Sequence, residues 1–277
     1  MAGFGHLRAD DGEFKKYQDF IQRKIGIKFP ESKKSLLESR LSSYLTKNGY
    51  KSFLEYFEYI EELPLTHPEI DFLVDKITTH TTSFFRENFH FDFLKEQGVK
   101  ILADRFKKTK LKCISLGSST GEEMYTLAMV LEEQKRKSVI LDYQIDAADV
   151  SRYALLKAKE GVFKKDHLES IPAQYRSFFD IKDERIIAKD FLKKNMRFFI
   201  INICKIGQKF PDNYHLIFCR NTLIYFTKTL QQNVIDNVAK ILIPGGIFIM
   251  GHSESLHGIN HNFSKLEPTI FQTEVIR

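Results

Sequence analysis

Apolar residues recur at helical spacing through the first part of the chain. Leu36, Leu37, Leu41 and Leu45 form one stripe, Phe53, Leu54, Phe57 and Ile60 a second, and Ile70, Leu73, Val74 and Ile77 a third. Pro68 stands where the third helix begins, and Asn48-Gly49 and Leu63-Pro64 punctuate the segments. The spacing predicts a small helical bundle over residues 1–80. From about residue 111 the pattern changes. Short apolar runs at 113–116, 143–148, 215–219 and 247–250 alternate with helical stretches at 122–133 and 228–243. Strands alternating with helices predict an α/β domain over 81–277 with βαβ units and a parallel sheet. Pro244-Gly245-Gly246 is expected to turn the last helix into the next strand, and residues 263–276 read as two edge strands around Glu267-Pro268-Thr269. Charges alternate with apolar residues in Arg185-Ile186-Ile187-Ala188 and Met196-Arg197-Phe198-Phe199-Ile200, which predicts a small β insertion at about 176–203.

Composition narrows the classes. Hydrophobic residues make up 43% and charged residues 28% of the 277 positions, a globular balance that excludes disorder, collagen and coiled coil. The net charge of +6 and pI near 9.0 point to an acidic partner, whether nucleic acid, membrane surface or protein. Cys113, Cys204 and Cys219 form no CxxC pair, so neither a disulfide framework nor a metal site is expected. The N-terminal segment has no apolar core of a signal peptide, and no window approaches ~18 apolar residues. A cytoplasmic protein that is not inserted in a membrane is expected.

Four segments carry candidate chemistry. In Ile114-Ser115-Leu116-Gly117-Ser118-Ser119-Thr120-Gly121-Glu122-Glu123 a buried strand runs through small residues into a helix. Gly117 and Gly121 allow close approach of backbone to a ligand. The loop is neither GxGxxG nor a P-loop. Its glutamates would repel a pyrophosphate and would suit a hydroxyl-bearing, cationic cofactor such as S-adenosylmethionine; an ordinary strand–helix connection is the plain alternative. Asp149 ends the next apolar run, where a ribose hydroxyl pair is held in such folds; equally it would cap the helix that follows. Thr78-Thr79-His80-Thr81-Thr82-Ser83-Phe84-Phe85-Arg86-Glu87 reads either as a helix end stapled onto the sheet or as a wrap over a carboxylate, with Arg86 binding it. Cys219-Arg220-Asn221 ends a predicted parallel strand, with Tyr225 following, and an unpaired Arg there would call for an anion. His252-Ser253-Glu254-Ser255 lacks a nucleophile elbow, so local hydrogen bonding is its expected role.

Together these segments resemble the chemotaxis receptor methyltransferases of the CheR family. Thr78 to Arg86 matches the family's Thr-Thr-Asn-x-Thr-x-Phe-Phe-Arg run, and Ser119 to Tyr125 its Ser-Thr-Gly-Glu-Glu-x-Tyr loop. Cys219 to Phe226 matches Cys-Arg-Asn-x-x-Ile-Tyr-Phe, Gly251 to Glu254 matches Gly-His-Ser-Glu, and Asn202-Ile203 falls on the family's Asn-Leu step. The resemblance implies a helical docking domain, a Rossmann-like methyltransferase domain with a small antiparallel β subdomain, and methyl transfer from S-adenosylmethionine to receptor glutamates, leaving S-adenosylhomocysteine. It implies cofactor contacts from His80, Thr82, Arg86, Gly117, Glu123, Asp149, Asn202, Ile203, Cys219, Arg220 and Asn221, with Arg86, Arg220 and Tyr225 nearest the transfer. The acidic methylation helices of chemoreceptors become the partner. Basic residues Arg23, Lys24, Lys33, Lys34 and Arg40 cluster around the helix that the family uses for docking; Lys33, Lys34 and Arg40 are the implied contacts.

Two departures stand out. His80 replaces the usual Asn, and the insertion lacks the Gly-x-Gly turn that grips a pentapeptide receptor tether, so a tether-independent monomer is expected. An RNA methyltransferase fits the pI, but aromatic and basic residues do not interleave as RNA recognition requires, so no nucleic acid is expected. A cofactor-binding protein without transfer is the third reading.

Overall fold

A computed structural model describes residues 7–64, 66–107, 109–210 and 213–274. Residues 1–6 of the predicted helical domain and 275–277 at the end of the predicted last strand lie outside them. Two compact units emerge, one running to Thr79 and taking in Ser151–Tyr153 and Tyr225–Thr227, the other formed by the remainder.

The first unit is helical. Its first helix, α1 (Asp11–Phe20), is one that the apolar stripes did not announce. A capping box starts it: Asp10 accepts the Glu13 N–H, and Glu13 accepts the Asp10 N–H. Phe14, Tyr17 and Phe20 face inward. The predicted stripes form α2 (Lys34–Lys47), α3 (Phe53–Glu61, capped by Ser52) and α4 (Pro68–Ile77). Tyr17 packs edge-on against Phe53 and Phe57, and its hydroxyl donates to the Phe53 carbonyl at 2.9 Å. Tyr44 and Tyr56 both donate to Glu69 Oε1, at 2.8 and 2.7 Å, so the polar tips of this aromatic core are satisfied.

The second unit holds ten strands among the described residues: β1 (Leu111–Leu116), β2 (Tyr143–Asp149), β3 (Val162–Lys164), β4 (Phe179–Lys182), β5 (Arg185–Ala188), β6 (Met196–Ile200), β7 (Tyr214–Cys219), β8 (Leu242–Met250), β9 (Phe263–Glu267) and β10 (Ile270–Thr273). The main sheet runs β6-β2-β1-β7-β8-β10-β9, parallel through β8, with β10 and β9 antiparallel at the edge. From β1 the chain builds outward through β2 to β6, then returns and builds the other way through β7 and β8. The carboxyl ends of β1 and β7 are therefore the switch point, where open α/β sheets bind ligands. The helices include α5 (Phe89–Phe93), α6 (Val99–Arg105), α7 (Glu122–Arg136) and α8 (Arg152–Glu160). Between β1 and β2, α7 buries Met124, Leu127, Ala128 and Leu131.

The small sheet differs from the expected insertion. It consists of β3-β5-β4, antiparallel, and spans Val162 to Ala188 instead of about 176–203. Met196–Ile200 belongs to the main sheet, paired parallel with β2. Its charged alternation has a cross-strand cause. Arg197 lies opposite Asp146 and donates to it through Nε at 2.8 Å and Nη2 at 2.6 Å. Pro244-Gly245-Gly246 lies inside β8, where the register against β7 slips between Tyr214 and Leu216.

Asp146 is fully buried and also accepts the Tyr214 hydroxyl at 2.7 Å. Asp146→Ala removes the carboxylate that the Tyr214 hydroxyl and Arg197 share, and is expected to destabilise the protein by about 2 kcal/mol. Tyr214→Phe, which removes a donor and leaves the Arg197 pair, is expected to cost about 1 kcal/mol. Urea denaturation compares the two, and equal midpoints would contradict the account.

Candidate functional site

The loop after β1 is built by two glycines. Gly117 has φ +77°, and a Cβ there would lie 2.5 Å from Thr222 Oγ1. Gly121, φ +105°, opens α7; its Cβ would lie 2.9 Å from that of Ala158. Only glycine meets both demands, a left-handed backbone and no room for a side chain. The Gly117 and Ser118 N–H groups donate to the Ala148 carbonyl at 2.7 and 3.1 Å, and the Ser119 N–H donates to Asp149 Oδ2 at 2.8 Å. Loop and β2 end are thereby one structure, as the sequence placed them.

Arg220 follows β7, with its side chain 1% exposed. Nη1 donates to Glu123 Oε2 at 3.1 Å and Nη2 to Glu87 Oε2 at 3.2 Å. Nη2 also donates to the Arg86 carbonyl. The guanidinium carbon lies 5.4 and 5.8 Å from the ring centres of Phe91 and Phe218. This corrects the argument that an unpaired Arg220 demands an external anion: two internal carboxylates already meet the charge. Glu123 takes a further hydrogen bond from Ser115 Oγ at 2.7 Å. Burial pushes its carboxyl above the ordinary range, against the opposing pull of Arg220 and Ser115.

Two carboxylates that the sequence reading did not select organise the strand ends. Glu254, buried, accepts four backbone N–H groups at 2.7–2.9 Å, from Asn221, Thr222, Leu223 and Gly251. Glu87 accepts from Asn221 Nδ2 at 3.0 Å and from the His252 N–H at 2.9 Å, besides Arg220. Both sit inside the segments 78–87 and 251–255 already singled out. His90, fully buried, places Nε2 2.8 Å from Thr269 Oγ1. Burial, reinforced by the Arg220 charge, pushes it down to about 3, so it is neutral at physiological pH.

The other expected residues distribute as follows. Cys219 ends β7, buried, and burial pushes its thiol up. Asn202 follows β6 and accepts the Cys204 N–H at 2.9 Å; Ile203 beside it is buried. His80 and Thr82 lie half-buried in the segment before α5, and the Arg86 guanidinium donates to the Thr81 carbonyl at 2.6 Å. Tyr225 groups with the helical unit, where Lys33 Nζ lies 4.9 Å from its ring centre and its carbonyl accepts the Lys28 N–H. In that unit Lys34 pairs with Asp11 at 2.6 Å, and Arg40 donates to the Lys76 and Thr78 carbonyls at the end of α4. Arg40 is thus a helix cap as well as a surface cation.

Whether these residues suit S-adenosylmethionine is tested by the groups the fold leaves unpaired. The buried Ser118 Oγ, Ser119 Oγ and Arg220 Nε have no hydrogen-bond partner among the described residues. They sit with Asp149 and Glu123 at the carboxyl ends of β1, β2 and β7. Hydroxyls, carboxylates and one guanidinium N–H suit a ligand with ribose hydroxyls, a cationic centre and a carboxylate. The set fits. Among the described residues, no group of His, Cys, Asp and Glu could hold a metal ion.

Residues 80–271 match the family model described as CheR methyltransferase, SAM binding domain, and residues 12–78 the one described as CheR methyltransferase, all-alpha domain. The chemotaxis protein methyltransferase of Borreliella burgdorferi is 34% identical over 260 residues, covering 91% of this chain and 90% of that protein. Its counterpart from Vibrio parahaemolyticus is 32% identical over 267 residues, 93% and 94% of the two chains. Chemotaxis protein methyltransferase 2 of Pseudomonas aeruginosa is 30% identical over 275 residues, 97% and 94%.

The Glu87 cluster makes a pH prediction. Burial alone would raise this carboxyl, but hydrogen bonds from Asn221 and His252 and the Arg220 charge hold it below its ordinary 4.5. A carboxylate lowered in the fold contributes stability above its unfolded value and loses it as pH falls through the folded one. Glu87→Gln is therefore expected to lose stability less steeply than wild type below about pH 4.5, followed by urea midpoints. Parallel acid limbs would remove this assignment.

Proposed function

Because the chain belongs to the CheR methyltransferase family, we propose that it methylates glutamate side chains on the acidic methylation helices of chemoreceptors. The enzyme is an S-adenosylmethionine-dependent methyltransferase. One observation carries the choice of substrate: proteins named chemotaxis protein methyltransferases align with more than nine tenths of the chain, so helical and sheet units alike are shared with them.

When bound, S-adenosylmethionine supplies a methyl carbon activated by a positive sulfur and remains as S-adenosylhomocysteine. The substrate carboxylate, with a pKa of about 4.3, is already ionised at neutral pH, so no residue need remove a proton. His90 agrees with this: it is neutral and hydrogen-bonded to Thr269. The chain's task is alignment and exclusion of water. Gly117, Glu123 and Asp149 frame the cofactor, with His80, Thr82, Asn202, Ile203, Cys219 and Asn221 lining it. Arg86 and Arg220 stand nearest the transfer in this reading. Arg220 acts as a fixed electrostatic wall, because Glu87 and Glu123 hold it.

Receptor docking is assigned to basic residues of α2 and of the turn that precedes it. Lys33 and Lys34 carry it better than Arg40, whose guanidinium is committed to capping α4. The pair of Lys34 with the exposed Asp11 is worth little and is easily exchanged for a receptor carboxylate. Tether independence is supported by the β4–β5 turn, Lys182-Asp183-Glu184-Arg185, which has no glycine and takes Asp183 to φ +52°. A monomer acting on the cytoplasmic part of membrane receptors completes the reading. No helix among the described residues is long and apolar enough to cross a membrane.

Incubation with methyl-labelled cofactor and receptor-bearing membranes is expected to put base-labile label on receptor protein; label on RNA, or none, would overturn the substrate assignment. Between about pH 6 and 9 the rate should be flat, since the nucleophile is ionised throughout, and a limb rising near pH 7 would reveal a general base. Reversing Lys33 and Lys34 to Glu is expected to lower receptor methylation about tenfold at low salt, with cofactor affinity unchanged. Receptors with and without a pentapeptide tail should be methylated equally.

A further inference from the structure

Glu87 has no place in the proposed contacts with cofactor or receptor, yet its carboxylate joins three loops at the carboxyl edge of the sheet. Oε1 accepts Asn221 Nδ2, and Oε2 accepts both Arg220 Nη2 and the His252 N–H. The partners follow β7 and β8, and Glu87 itself precedes α5. The backbone is bent to bring it there: Phe85 and Glu87 both have φ +54°, and Asn221 has φ +53°. Left-handed conformations at three non-glycine residues are unfavourable and persist only where surrounding contacts enforce them.

The direction of one hydrogen bond is decisive. A carboxylate accepts only, so Asn221 must turn its NH2 toward Glu87, which points its carbonyl oxygen the other way as an acceptor. The same carboxylate holds Arg220 Nη2 while Glu123 holds Nη1, which fixes the plane of the guanidinium and the heading of its unpartnered Nε–H. We propose that Glu87 is a positioning residue for the cofactor site, setting which end of the Asn221 amide and which edge of the Arg220 guanidinium a bound S-adenosyl ligand meets. The inference rests on the methyltransferase reading for the identity of that ligand, and its test needs no receptor.

The measurement is S-adenosylhomocysteine binding by titration calorimetry, alongside thermal unfolding, for wild type, Glu87→Asp, Glu87→Gln and the exchange variant Glu87→Gln/Asn221→Asp. Glu87→Gln is expected to bind about tenfold more weakly at pH 7.5, more than its change in Tm explains, and Glu87→Asp to recover part of the affinity. The exchange variant keeps one amide–carboxylate hydrogen bond and the net charge, but removes the carboxylate from Arg220 and the His252 N–H. It should regain thermal stability without regaining affinity. Affinity of Glu87→Gln within about twofold of wild type, or an exchange variant that recovers binding together with stability, would overturn the proposal. Should Glu87→Gln not fold, the exchange variant and Glu87→Asp decide in the same way. Wild type that binds the ligand but labels no receptor would remove the substrate assignment and leave this test standing.

Discussion

A guanidinium buried at the end of a central strand governs the sheet unit. Arg220 leaves β7 where water is excluded, and an isolated cation there would carry a desolvation cost of several kcal/mol. Glu123 and Glu87 supply the compensating charge, and each exacts a condition of its own. Glu123 must stand on the first turn of α7, so the loop from β1 has to be short and tight. Glu87 must arrive from before α5 through left-handed backbone. The positions of α7, the pre-α5 segment and the β8 loop all follow from satisfying one cation.

The topology explains why that cation lies where it does. Strands diverge from β1 and β7 in opposite directions, so the helices that cover the sheet leave a crevice at these two carboxyl ends. Gly117 fills the crevice with backbone alone, close enough to Thr222 that any side chain would collide. The buried hydroxyls of Ser118 and Ser119 have no partner among the described residues, an arrangement that ordinary connections avoid.

Much of this was legible in the sequence, for reasons that can be stated. The glycine loop, Asp149 and Arg220-Asn221 each follow an apolar run, and strand ends announce themselves through periodicity. Helix α1 was less visible: Phe14, Tyr17 and Phe20 keep the right spacing among charged residues, and its capping box is a sharper sign than its hydrophobicity. Met196–Ile200 was misassigned because an edge strand with Arg197 paired to a neighbour looks, in one dimension, like an exposed hairpin. Partnership was the least legible quantity. That Arg220 would be neutralised from within, by carboxylates far away in sequence, depends on tertiary contacts that no local pattern encodes.

The small sheet has a consequence of a different kind. The chain leaves the main sheet after β2, folds β3, β4 and β5 upon one another around Phe163, Phe179 and Ile186, and comes back as β6 beside the strand it left. Departure and return are neighbours, so the excursion hangs from the sheet as a graft. Loop-closure entropy grows only logarithmically with the length of such a segment, so over evolutionary time it can be enlarged, trimmed or resurfaced with little effect on the strands that bear it. Descent can thus rewrite the surface of this small sheet while the strands of the main sheet are inherited unchanged.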